Sequence, residues 1–486
     1  MSMPAILIDL IWGNDDETQV FAHAHDTANN SPLLTFRLTQ DTTQQPQSFA
    51  NRIASRFHEL PVSSSSATFP DRASMRKALG AAIQRAWPSC AHAAAAPDAV
   101  VDLFDDDDDK HDEQGGAEGE GEGVNVQWRV RYESTLYQEF LDALLPVDVF
   151  FFPDNMHSSS REAIKLIDIK DIVLIHPLPG RGTSALVHIL SDPNALYAMK
   201  SIAFTDLLNS REELTYNRNS LYHSIKLTSS TIPPHPNIQP PPRTLLTTTH
   251  HNKVLLLRGT LYPYMNQGTL DTQITTAQEA HNQPRISLQS KARWCLQMCQ
   301  ALLHTHRTAK TFHMDIKPAN FLVNDHGNLV LIDWEQSGAP WYTLAPEANG
   351  EWDVARVSDD DDDDGNDDDA SQLVYSRYQG PERVNLPRGR PAWNVFPEWS
   401  EKWPMAAEAA EVFSLGRTMW MLLQQVPQED IELLSPDELH VCWSEVAADI
   451  PDAWKEVVMQ CMEKDPLARI KLTNLVNFWE QQQQIL

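Results

Sequence analysis

The chain has 486 residues, 42% of them hydrophobic, with 14 Trp, which is enough for a buried core and more than one domain. Its net charge of −29 argues against nucleic acid as a main partner. No apolar run approaches the roughly 20 residues of a membrane span, and the start Met1-Ser2-Met3-Pro4, with Asp9 as its first charge, is unlike a signal peptide.

Residues 1–101 read as an N-terminal α+β region of no recognised family. Strands are expected at Ala5–Trp12 and Thr35–Thr39, and helices at Phe49–Leu60 and Arg72–Trp87. Residues 102–123 read as an acidic disordered linker, because 102–122 hold 11 acids against one Lys and like charges repel. Residues 124–167 read as an α+β extension that packs near the domain after it. Val124–Glu133 alternates like a strand, Ser134–Leu145 has helical character, and Val147–Phe152 suggests another strand. Five Cys, at 90, 295, 299, 442 and 461, form no C-x-x-C pair. Cys295 and Cys299 are one helical turn apart, which suits core packing, and reduced thiols suit cytosol or nucleus.

From residue 168 onward the motifs become dense. Leu178-Pro179-Gly180-Arg181-Gly182-Thr183-Ser184-Ala185-Leu186-Val187 is a glycine-rich stretch. Glycines let a backbone approach phosphates closely and direct N–H groups at them. Leu196-Tyr197-Ala198-Met199-Lys200 follows at the interval a two-stranded hairpin needs. Next come Ser210–Ile225 with helical character, His235-Pro236-Asn237-Ile238, a Pro/Thr-rich stretch Ser229–Thr249 that reads as a loop, and Leu261-Tyr262-Pro263-Tyr264-Met265-Asn266-Gln267-Gly268. Then His313-Met314-Asp315-Ile316-Lys317-Pro318-Ala319-Asn320 places an Asp five residues before an Asn. An apolar strand at Leu329–Ile332 delivers Asp333-Trp334-Glu335. The tail holds Gly380-Pro381-Glu382, Glu411-Val412-Phe413-Ser414-Leu415-Gly416 and Asp465-Pro466-Leu467-Ala468-Arg469.

This ordered set resembles the eukaryotic protein kinase superfamily, whose signatures include G-x-G-x-x-G-x-V, V-A-I-K, H-R-D-x-x-x-x-N, D-F-G and A-P-E. The resemblance spans roughly residues 168–482. It implies a two-lobed α+β fold, with a β-rich N-lobe at 168–265 and an α-helical C-lobe at 266–482. By resemblance, Gly180, Gly182 and Val187 belong to the nucleotide loop. Ala198 and Leu322 sandwich the adenine, and Tyr264 and Met265 form the hinge after Tyr262. Lys200 grips the α- and β-phosphates of ATP, with Glu213 as its acidic partner and Glu212 as second choice. Asp315 orients the acceptor hydroxyl and takes its proton, Lys317 offsets charge on the γ-phosphoryl in the Ser/Thr-directed form, and Asn320 and Asp333 hold Mg²⁺. Glu382 is expected to pair with Arg469. The second acidic insert, 351–369, holds 11 acids against one Arg and is expected inside the activation segment between Asp333 and Glu382. There it would draw basic substrates by a salt-screened attraction.

Four residues depart from the pattern. Met314 stands for the Arg of H-R-D and cannot pair with a phosphorylated activation segment. Trp334-Glu335 replaces Phe-Gly, and Glu411 replaces an Asp that anchors the catalytic loop, leaving an anchor that is strained but present. The resemblance therefore implies an ATP- and Mg²⁺-dependent Ser/Thr protein kinase acting on protein hydroxyls, basic substrates among them, with no nucleic acid or membrane span. Two alternatives stay open: a pseudokinase scaffold, and a small-molecule kinase of the choline or aminoglycoside type, which Ile332-Asp333-Trp334-Glu335 resembles.

Overall fold

The computed structural model describes residues 6–13, 19–26, 34–39, 100–105, 126–131, 134–151, 164–178, 183–250, 254–279, 285–336, 338–356, 373–380, 394–435 and 438–486, with positions 53, 77, 79–84, 87 and 383. The chain divides into two compact units. One comprises 1–154, 161–221 and 242–264, and the other 155–160, 222–241 and 265–486.

The first unit opens with a five-stranded sheet in chain order: β1 (Ile6–Gly13), β2 (Gln19–Asp26), β3 (Leu34–Thr39), β4 (Val100–Asp105) and β5 (Val126–Arg131). All pairs are antiparallel except β3–β4. A parallel pair needs a crossover, and the intervening chain includes helical backbone at 79–84. Val20, Ala22 and Ala24 alternate along β2 and are buried, as are Phe36 and Leu38 on β3. Trp87 stacks on Phe36 with ring centroids 5.9 Å apart. The expected strands match β1 and β3 to within a residue. β2 and β4 were not expected, because β2 has Ala, a weak strand former, at inward positions, and β4 runs into the acidic stretch. The expected linker 102–123 thus begins inside a strand, since Asp102 and Asp105 belong to β4, and β5 pairs back onto it.

A six-stranded sheet follows, ordered β6-β10-β11-β9-β8-β7. Its strands are β6 (Lys165–Asp168), β7 (Ile172–Pro177), β8 (Thr183–Ile189), β9 (Asp192–Ser201), β10 (Thr244–Thr249) and β11 (Leu255–Pro263). Part of the stretch expected as a loop is therefore strand β10. β-Branched Thr suits a pleat, and Leu245, Leu246, Thr247 and Thr248 are all buried there. Between β9 and β10 lie α2 (Phe204–Asn209) and α3 (Arg211–Lys226).

Helix α1 (Ser134–Ala143) is built into this unit. Phe140 is fully buried, with its ring 5.7 Å from that of Phe204 and under the Arg258 guanidinium at 4.6 Å. Arg211 Nε and Nη2 donate to Glu139 Oε1 and Oε2 at 2.5 and 3.0 Å, and Arg218 Nη1 donates to the Ala143 carbonyl at 3.0 Å. The strand expected at Val147–Phe152 does not form. Leu257 N donates to Leu145 O and Val147 N to Leu255 O, so the chain crosses the start of β11 and then turns into helical Asp148–Phe151.

At Gly259 the backbone of β9 packs closely against β11. A Cβ there would lie 2.3 Å from the Lys200 carbonyl oxygen and 2.9 Å from the Ser201 Cα, both backbone atoms that cannot swing aside. We expect Gly259→Ala to cost about 1–3 kcal/mol in urea unfolding, an overpacking cost. A loss under 0.5 kcal/mol, roughly that of a surface change, would show that the strands separate freely.

The second unit contains α4 (Leu270–Glu279), α5 (Leu288–Leu303), hairpin β12 (Phe321–Val323) and β13 (Leu329–Leu331), hairpin β14 (Trp352–Arg356) and β15 (Leu373–Arg377), α6 (Phe396–Lys402), α7 (Pro404–Gln424), α8 (Gln428–Glu432), α9 (Asp452–Cys461) and α10 (Leu472–Ile485). Helix α7 is buried nearly all round, which explains its apolar sequence. Its Gly416 admits α9, because a Cβ there would meet the Cys461 Cβ at 2.6 Å. Cys295, Cys299 and Cys461 pack in this core, where burial pushes their thiols up, Cys461 to about 12. No helix among the described residues is long and apolar enough to cross a membrane.

Candidate active site

The catalytic-loop motif is held from behind by one buried carboxylate. Glu411, on α7, is fully enclosed. Its Oε1 accepts from His313 N at 2.8 Å and from Met314 N, while its Oε2 meets His306 Nε2 at 2.6 Å. The extra methylene of Glu over Asp is absorbed, and the anchor expected to be strained makes three hydrogen bonds. It fixes Met314 at φ 76°, a left-handed conformation uncommon for a non-glycine residue. His313 Nε2 donates to Ile332 O at 2.8 Å, and this contact ties the catalytic loop to the end of β13. Trp334 is fully buried with its ring edge-on to His313 at 4.7 Å. The Trp that replaces Phe is thus a core residue.

Asp315 is bracketed by its expected neighbours. Lys317 Nζ donates to Asp315 Oδ2 at 2.7 Å, and Asn320 Nδ2 donates to the same oxygen at 3.0 Å and to Asp315 O at 2.7 Å. Asp315 Oδ1 is enclosed yet has no hydrogen-bond partner among the described residues. Asn320 spends its amide N–H groups on Asp315, which leaves its Oδ1 as the atom that could serve as a hard ligand. Ile332 N donates to Asn320 O at 2.9 Å, bringing Asp333 (φ 70°) next to the same loop. One carboxylate and one amide oxygen suit Mg²⁺, which takes one or two protein oxygens and completes its shell with phosphates and water. The donor set fits that ion. Among the described residues no cluster of three or more His, Cys, Asp or Glu could hold a metal without a nucleotide.

In the first unit, Lys200 lies on β9 across from Ser184 on β8 and Thr260 on β11. Side chains alternate faces along a strand. Ala198 is paired with Leu186 and Tyr262, so these share the Lys200 face. Val187 is paired with Tyr197 and lies on the opposite face, in the apolar cluster with Met199 and Leu261. Val187, expected on the nucleotide side, thus does not share the face of Ala198 and Lys200, and Leu186 does. Burial pushes the Tyr262 phenol up, and the nearby Lys200 charge works against that shift. Tyr264 N donates to Leu196 O at 3.0 Å, which holds the hinge to β9. In the second unit, Met265 O accepts from Gly268 N, and Leu322 bridges to Thr269. Gly180 and Gly182 lie outside the described residues.

Glu213 sits in the first turn of α3, its N–H donating to Ser210 Oγ at 3.0 Å. Its charge acts on Asp206, a buried carboxyl that the sequence did not single out. Burial is the largest cause raising Asp206 to about 7. The Glu213 charge adds to this, while bonds from Ala203 N and Asn217 and the Arg258 charge oppose it. A carboxyl with a raised folded pKa binds protons more tightly folded than unfolded, so its contribution falls as pH rises from about 4 to about 7. We expect Asp206→Asn, which keeps an acceptor for Ala203 N, to raise the Tm at pH 8 and leave it near wild type at pH 4. Equal shifts at both values would rule out this titration.

The A-P-E element is not where the sequence reading put it. Arg469 Nη1 and Nη2 donate to Glu347 Oε1 and Oε2 at 2.5 and 2.8 Å, with side chains only 1% and 5% exposed. Glu347 closes the run Ala345-Pro346-Glu347, and Glu382 lies outside the described residues. The segment from Asp333 to Glu347 is short, and the acidic insert 351–369 follows it in the chain, its early residues Trp352–Arg356 forming β14, which pairs with β15. Its expected place within the activation segment is thus corrected. The segment carries Tyr342, whose OH donates to Glu432 Oε1 at 3.3 Å. Burial, then the charges of Glu432 and Asp315, push that phenol up. Burial raises the Asp271 carboxyl, against a hydrogen bond from Gln428 N, and the charges of Glu432, Glu429 and Asp430 add to the rise.

A protein kinase domain model matches residues 176–339. The chain carries a protein kinase domain. No curated protein matches the chain. The matched stretch of the kinase domain contains Lys200, Asp315, Lys317, Asn320 and Asp333. Glu347 and Arg469, which form the buried ion pair, lie beyond it.

Proposed function

We propose that the kinase domain is an active, ATP- and Mg²⁺-dependent Ser/Thr protein kinase. The observation that carries this reading is the Asp315 carboxylate, partly exposed and fixed in place by Lys317 and Asn320 at Oδ2, with no partner at Oδ1 among the described residues. A carboxylate held this way is placed to accept a hydrogen bond from an acceptor hydroxyl and to take its proton as the phosphoryl transfers. Lys317, beside Asp315, offsets charge on the transferring group. Lys200, on the Ala198 and Leu186 face of β9, would grip the nucleotide phosphates, and Asn320 and Asp333 would hold Mg²⁺. The ion would supply charge neutralisation at the phosphates, where most of the catalytic gain in phosphoryl transfer arises.

Protein substrates are the class this reading takes, and basic ones are favoured. Tyr342 OH donates to Glu432, and the charges of Glu432, Asp315 and Asp271 all act on this phenol, so negative charge gathers on the Asp315 side of the segment. An assay on an oriented peptide library, with Asp333→Asn as control, tests both points. We expect Mg²⁺-dependent transfer to Ser/Thr peptides with Arg or Lys near the acceptor, lost in the control. Transfer to choline, ethanolamine or an aminoglycoside instead would overturn the reading, as would no transfer by a protein whose Tm rises with Mg-ATP.

A further inference from the structure

Gln336 follows Asp333-Trp334-Glu335 and sits, at φ 52°, in the middle of a network that no motif announces. Its Nε2 donates to Thr311 Oγ1 at 3.2 Å and to Phe312 O. Its Oε1 lies 2.7 Å from His223 Nε2. Its carbonyl accepts from Asn394 Nδ2 at 3.2 Å. With Nε2 turned to two acceptors, the amide can offer only Oε1 to His223, so His223 Nε2 carries a proton and donates. One side chain thus joins the last turn of α3, the residues just before His313, and the segment that starts at Asp333.

We propose that Gln336 is a positioning residue, a neutral clasp that holds the segment 333–347 against the catalytic loop without any phosphate. Three further observations support this. Met314 packs with Phe312, Ala339, Ala345, Phe396 and Phe413, so apolar contact fills the place where an Arg would answer a phosphorylated segment. Tyr342 and Thr343, two of the segment's hydroxyl residues, are buried and out of reach of a modifying enzyme. Asp333, three residues before Gln336, is held between two fixed points, Asn320 O through Ile332 N and the Gln336 amide. The consequence for catalysis rests on the kinase reading above, but the clasp itself does not.

The test compares wild type, Gln336→Met, His223→Phe and the double variant by hydrogen exchange and by steady-state kinetics, before and after treatment with a broad-specificity phosphatase. Met keeps the length of Gln and removes its hydrogen bonds. We expect Gln336→Met to speed exchange across 309–314 and 333–347 by about tenfold, with the helices α9 and α10 unchanged. We expect kcat to fall about tenfold, KM for peptide to stay within about twofold, and the double variant to be no worse than Gln336→Met alone. Phosphatase treatment should leave wild-type activity within about twofold, as a phosphate-free clasp requires. Exchange like wild type in Gln336→Met, a uniform rise across the second unit, additive variants, or loss of activity on phosphatase treatment would each overturn the proposal. If wild type transfers no phosphate at all, the exchange pattern still decides the clasp, and only the functional reading falls. If Gln336→Met does not fold, His223→Phe carries the same exchange comparison.

Discussion

Asp315→Asn is expected to lower kcat about 100- to 10,000-fold, the range a positioned general base supplies, while Mg-ATP still raises the Tm. Asn has the shape of Asp, and its carbonyl can still accept from Lys317 and Asn320, which now lie 2.7 and 3.0 Å from Asp315 Oδ2. The change removes the oxygen that would take the hydroxyl proton and little else. Asp333→Asn should behave differently. It weakens the pair of oxygens suited to Mg²⁺, so both turnover and the Mg-ATP shift in Tm should fall. Single-turnover assays with thermal melts separate the two variants. If Asp315→Asn retains more than about a tenth of wild-type turnover, Asp315 is not the base.

Arg469→Ala is expected to cost about 3–5 kcal/mol of unfolding free energy, the range for breaking a buried ion pair by removing one partner. Glu347, at 5% exposure, would be left as an enclosed charge without its bidentate partner. Arg469 also donates to Glu463 O at 2.9 Å and Ala409 O at 3.0 Å, and lies over the Phe413 ring at 5.0 Å, so its loss unties three segments. Glu347→Ala should cost a similar amount, since the guanidinium is then the buried orphan. If Glu347 is the partner of Arg469, Glu382→Ala should cost far less than Glu347→Ala. Urea unfolding of the three variants decides between the two glutamates. A large loss in Glu382→Ala with a small one in Glu347→Ala would reverse the assignment.

The chemical core of the site was legible in the sequence because it is local. Asp315, Lys317 and Asn320 lie within six residues, and a loop of that length brings them to one point whatever surrounds it. Asp333 follows from an apolar strand that can end only there, and Lys200 from a hairpin of countable length after the glycines. Helices α1 and α3 and strands β1 and β3 were legible for the same reason, since their periodic patterns are fixed by their own geometry.

Other features depended on contacts between distant parts of the chain. Two glutamates, Glu347 and Glu382, both end in a Pro-Glu and could each have answered Arg469. The burial of the guanidinium against Ala345-Pro346-Glu347 decides between them, because an enclosed Arg tolerates only a partner enclosed with it. The choice of Leu186 over Val187 rests on strand register, which sequence counting through a glycine loop cannot fix to one residue. The fit of Glu411 beneath the catalytic loop, the burial of Asp206 and the clasp of Gln336 depend on residues about ten to more than a hundred positions away. The sequence by itself therefore determined the kind of chemistry and the residues within one loop or strand of it. The tertiary structure alone decided which polar groups are enclosed together, since desolvation makes a buried charge or amide costly unless its partner arrives in the same fold.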